Sequence, residues 1–221
     1  MIRDTGIMDR TTSIRRPFRR HALLAAAPII AALALGGCAT PSLPGGQPPS
    51  GIAAGGEVIG QGTVLQVDEA APMFCLGAVM ESYPPQCDGP EIVGWDWDDV
   101  EGAETASGVT WGAYALQGTW DGERFTVTQP AMLLALYDPM PFVDPYTDPE
   151  MAGTNEESRL LEIQEELSAD PELRPLTSAP QNGYLFATYI HDDGDIQSFF
   201  DDRYGPDVVH VVSALRPVDA G

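Results

Sequence analysis

The stretch VTWGAYALQGTWDGERFTVT, residues 109–128, decides the fold. Its first half, 109–118, is an extended run whose large apolar members are Trp111, Tyr114 and Leu116. Asp121-Gly122 then supplies a hairpin turn, because a tight two-residue turn needs positive φ, which Gly adopts freely. The partner strand follows as Arg124-Phe125-Thr126-Val127-Thr128, rich in the β-branched and aromatic residues that suit a pleated, half-buried surface. A lone hairpin is marginal in water, so its apolar face requires further strands.

Those strands lie upstream. Gly62-Thr63-Val64-Leu65-Gln66-Val67 carries β-branched residues in partial alternation, and residues 73–80 form an apolar run holding Cys75. Tyr83-Pro84-Pro85 breaks that run, since proline donates no ladder hydrogen bond. Residues 91–97 resume it with Ile92, Val93, Trp95 and Trp97. Five short strands in this order predict a small OB-like five-stranded β-barrel over residues 57–137.

Downstream, residues 138–153 carry Pro139, Pro141, Pro145 and Pro149 among acidic side chains and mark an internal boundary. Over residues 154–221 the periodicity changes. Thr154 with Glu157 predicts a capping box, after which Leu160, Ile163 and Leu167 share one helical face. Residues 183–190 alternate as a strand, Ile196, Phe199 and Phe200 fit a short helix ending near Gly205-Pro206, and 208–214 read as another strand. The expected class is α+β, with this C-terminal α-β-α-β segment packed against the barrel.

Two clusters invite chemistry. In His191-Asp192-Asp193-Gly194-Asp195, carboxylates around a glycine suit a hard cation such as Ca²⁺, and Asp192, Asp193 and Asp195 are the candidate ligands. The EF-hand spacing and its distal Glu are absent, and a strand-to-helix turn with Asp195 as N-cap asks for the same residues. In Trp95-Asp96-Trp97-Asp98-Asp99, alternation puts both rings on one strand face. They are then either a platform for a sugar or cationic ligand, or barrel core with the Asp residues facing water. No Gly-x-Ser-x-Gly elbow, phosphate loop or dinucleotide fingerprint occurs, and acids are too abundant for any glycosidase-like pair to stand out. No catalytic residue and no cofactor is predicted.

The N-terminus bears on location. Arg15, Arg16, Arg19 and Arg20 precede an apolar run over residues 22–35, too short for a comfortable bilayer span, and small residues lead into Cys38. Leu35-Gly36-Gly37-Cys38 resembles the bacterial lipobox, which implies cleavage before Cys38 and lipidation of its thiol. Arg15-Arg16-Pro17-Phe18 looks like part of a twin-arginine export signal, though an ordinary basic region explains it as well. Residues 39–56, rich in Pro, Gly, Ser and Ala and free of charge up to Gly56, read with Cys38 as a flexible tether. Outside the cytoplasm, Cys75 and Cys87 are most simply a disulfide. The segments Cys75-Leu76-Gly77, Pro84-Pro85-Gln86-Cys87 and Gly94-Trp95-Asp96-Trp97 are similar to uncharacterised lipoproteins of high-GC Gram-positive bacteria. So is the ending from Arg203-Tyr204-Gly205-Pro206 through Leu215-Arg216-Pro217.

Residues 1–37 hold six of the 11 basic residues and two of the 33 acidic ones. The remainder, five basic against 31 acidic and no Lys, has a formal charge of about −26. Such a surface repels nucleic acid and anionic membrane faces, so lipid is the expected membrane contact. The combined expectation is a lipid-anchored, extracytoplasmic, non-enzymatic binding module with a protein partner at the cell envelope. A small-ligand or Ca²⁺-binding lipoprotein and an envelope hydrolase are the alternatives.

Overall fold

The computed structural model describes residues 49–138 and 143–218. Cys38, the signal over 1–37 and the first part of the tether lie outside these residues. The described residues belong to one compact unit.

The long arm of the hairpin, β5 (Val109–Trp120), turns at Gly122 into β6 (Arg124–Val127). Along its other edge β5 pairs antiparallel with β1 (Glu57–Val67) over the full length, from Glu57↔Thr119 to Val67↔Val109. β1 also pairs with β2 (Met73–Cys75), β2 with β3 (Glu91–Val93), and β3 in parallel with β6. The order β1-β2-β3-β6-β5 and back to β1 closes a five-stranded mixed barrel of OB-like connectivity. β4 (Glu104–Ala106) and β7 (Met132–Leu133) are short additions on β5.

Alternation fills the interior: Val58, Val64, Phe74, Ile92, Tyr114, Leu116 and Phe125 are each at most 3% exposed. The curve is tight enough that a Cβ on Gly62 would sit 2.5 Å from the Cys75 carbonyl oxygen, so glycine is required there. The Cys75–Cys87 disulfide closes the start of the β2–β3 loop across 12 residues, a crosslink contributing on the order of 3 kcal/mol.

The apolar run over 73–80 yields only a three-residue strand, because the disulfide-closed loop leaves the ladder after Cys75. Likewise β3 stops at Val93: Gly94 takes φ +78°, and Trp97 opens a 3-10 turn, Trp97–Asp99.

The C-terminal segment comprises α1 (Glu157–Ala169), β8 (Thr177–Gln181), β9 (Tyr184–Tyr189), α2 (Asp195–Tyr204), β10 (Val209–Ser213) and β11 (Arg216–Pro217). β9 is central, antiparallel to β8 and parallel to β10, and both helices pack on this sheet. The predicted face of α1 is buried, with Leu160, Ile163 and Leu167 at 1% exposure or less beside Leu185 and Phe200. The predicted capping box does not form. Glu156 is the N-cap and makes no side-chain cap bond, while Asn155 is drawn away to donate to the carbonyls of Gly183 and Asp207, both at 2.8 Å. β8 is absent from the sequence reading because Pro180 and the lack of alternating apolar residues conceal it. As an edge strand it tolerates the proline.

The chain then returns to the barrel. β11 adds to the start of β1, Leu215 enters the barrel core, and the Val218 N–H donates to the Glu57 carbonyl. The late part of the tether also lies on the fold. The Ala54 N–H donates to the Trp120 carbonyl at 3.0 Å, and Ile52 packs against the second core. Within the tether predicted over 38–56, Ile52 and Ala54 are therefore docked rather than free.

Candidate functional site

The sequence-predicted residues are spoken for by local structure. Asp192 Oδ1 accepts the N–H groups of Gly194 (3.0 Å) and Ile196 (2.9 Å), and Asp193 Oδ1 accepts that of Asp195. The N-cap of α2 is Gly194 at φ +112°, so Asp195 is the first helical residue rather than the cap. Among the described residues, no group of three or more His, Cys, Asp or Glu side chains is placed to hold a metal.

Trp95 and Trp97 are half-buried against the barrel core, edge to face with each other at 5.2 Å, and Trp95 meets Tyr114 at 5.1 Å. The Trp97 indole N–H donates to Gln66 Oε1, and Asp96 caps the 3-10 turn through the Asp98 N–H. A groove of about 450 Å³ runs beside Trp95, but its acids include this capping Asp96 and its rings face the core.

The sequence offers no signal for a second pairing. His210 Nε2 lies 2.7 Å from Asp144 Oδ2, with Tyr146 stacked on the imidazole at 4.2 Å and Phe186 edge-on at 5.0 Å. A carboxylate offers only lone pairs, so Nε2 carries the proton. The arrangement resembles an oriented catalytic histidine. Its adjoining cavity, however, measures only about 100 Å³, and its described lining contains no Ser, Thr or Cys that could serve as nucleophile. The pair ties the acidic proline-rich segment to β10.

The arrangement best suited to a ligand is a cleft of about 430 Å³ where the barrel meets the C-terminal segment. Ile52, Trp120, Leu176, Tyr189, Ile190 and Ile196 supply its apolar surface. Apart from the adjacent Tyr189 and Ile190, each arrives from a different element or loop, which is why no local motif announces the site. The Tyr189 hydroxyl donates to the Leu173 carbonyl at 2.5 Å, so its ring, not its oxygen, faces a ligand, and burial drives the phenol's pKa well above its usual value.

Five polar side chains edge the cleft: Ser50 before β1, Glu123 from the β5–β6 turn, Glu172 and Arg174 from the α1–β8 loop, and His191 after β9. Arg174 Nε donates to the Ser168 carbonyl at 3.0 Å, which fixes the guanidinium at the rim. His191 Nδ1 lies 3.4 Å from the Leu215 carbonyl. Residues 49–52, the end of the tether, complete the wall. Gly51 and Gly122 meet so closely that a Cβ on Gly122 would lie 1.9 Å from the Gly51 carbonyl oxygen.

An apolar concavity of this volume with a few converging polar groups is the usual form of a small-molecule site. Chemically it can enclose an apolar body and orient one polar end. No family model, curated protein or solved structure matches the chain.

Proposed function

We propose that the chain is a lipid-anchored extracytoplasmic binding protein, without enzymatic activity, that holds an apolar group of its ligand or envelope partner in the seam cleft. The observation that carries the reading is the cleft itself: apolar, edged by a few polar side chains and formed between two separate cores. The anchoring half rests on the sequence, where Leu35-Gly36-Gly37-Cys38 follows the apolar run. A Cys75–Cys87 bond is in keeping with it, since disulfides persist in oxidising compartments.

Intact mass of the membrane-extracted protein, before and after reduction, tests the anchor. The expected species is residues 38–221 with diacylglycerol and one further acyl chain, gaining two hydrogens on reduction. An unmodified chain retaining residues 1–37 refutes the anchor. A reproducible hydrolytic activity against envelope material, abolished by one carboxylate substitution, refutes the non-enzymatic half.

A further inference from the structure

We propose that the seam cleft selects an apolar body bearing a protonated amine. The inference rests on the binding reading above and deepens it by naming the ligand class.

Hydrogen-bond polarity points that way first. The Leu215 carbonyl beside His191 Nδ1 can only accept, so Nδ1 carries the proton that faces it and is committed there. Glu123 from the barrel side and Glu172 from the other supply two carboxylate acceptors, and both are exposed. Against these acceptors stands one strong donor, Arg174, whose Nε is already committed to Ser168. A ligand that donates is matched better than one that accepts.

The sign of the charge agrees. Arg124, Arg159 and Arg203 each face a carboxylate within 4 Å. At the cleft, one guanidinium meets two carboxylates in a chain of formal net charge −22. The summed field concentrates cations and repels anions, and a single arginine does not reverse it. Ring surface adds a third contribution, since the half-buried Tyr189 lines the wall and an ammonium group is attracted to aromatic rings.

Three probes that share one apolar body separate the possibilities: 4-phenylbutylamine, 4-phenylbutanol and 4-phenylbutyrate. Each is titrated calorimetrically into the full chain in neutral-lipid discs, with empty discs as reference. The amine is expected to bind at least about fivefold tighter than the alcohol, with the carboxylate weakest. In about 1 M salt, where screening reaches within about 3 Å, the amine's advantage shrinks to under about twofold. The E123Q/E172Q variant, altered at two exposed positions, brings the amine down to the alcohol's affinity.

An alcohol that binds as tightly as the amine, or a carboxylate that binds tightest, overturns the ligand class and leaves the cleft reading standing. Failure of all three probes to bind overturns both.

Discussion

Glu57 shows how one side chain holds the barrel shut at its seam. Its carboxylate accepts from the Thr128 hydroxyl at 2.5 Å and from the Gln117 amide at 2.7 Å, joining the start of β1 to β5 and the end of β6. These donors, Thr128 foremost, hold its pKa below the ordinary 4.5. A pKa depressed by folding stabilises the native state above the unfolded value, and that contribution is lost as pH falls through the folded value. The melting temperature should therefore drop on acidification below pH 4.5, and the Glu57→Gln variant should show a smaller drop. Equal pH profiles for the two proteins would remove Glu57 from the account.

At α2, Asp192→Ala should cost about 1–2 kcal/mol, because one oxygen accepts two backbone N–H groups. Asp195→Ala, which removes no such acceptor, should cost less than about 0.5 kcal/mol. Thermal melts followed by circular dichroism distinguish them, and the reverse order would return the cap to Asp195. The turn was legible in the sequence; which Asp caps it was not, because that depends on the positive φ of Gly194.

Among elements, those written in local pattern were legible. The β5–β6 hairpin, the buried face of α1 and the β9 strand all follow from turn chemistry or periodicity. β8 has no such pattern, and its best trace is Asn182-Gly183, whose φ values of +50° and +80° suit a tight hairpin turn. The cleft was illegible because its surface is assembled from positions far apart in the chain.

The strap over residues 49–54 was likewise hidden behind a linker-like composition. Its docking makes a sharp prediction for Gly122→Ala. The new Cβ collides with Gly51, and φ +98° resists any side chain, so the strap must lift. Hydrogen exchange at the Ala54 amide should accelerate by more than about tenfold while the amides of Leu160 and Ile163 stay protected. Unchanged protection at Ala54 would mean that the strap is held elsewhere.

At the scale of the whole molecule, the two cores are tied together by the return of the chain. Leu215 sits in the barrel core, β11 lies on β1, and α2 and β10 precede them in the second core. All four tryptophans, Trp95, Trp97, Trp111 and Trp120, belong to the barrel half, whereas both α-helices among the described residues belong to the other. Indole fluorescence thus reports one half and helical dichroism the other. Because the described residues form one compact unit, urea transitions followed by the two signals should coincide. Separated midpoints would show the halves unfolding independently.

The strap has a mechanical consequence. Residue 49 enters the fold not at a strand but at a wall of the cleft, where the strap is held by one backbone hydrogen bond from Ala54, the packing of Ile52 and Ala54, and the close approach of Gly51 to Gly122. Tension arriving from the N-terminal side is borne there first, ahead of the eleven-residue ladder between β1 and β5. The cleft therefore lies in series with any such load, and single-molecule pulling from the N-terminal side is expected to release residues 49–54 before the β1–β5 ladder.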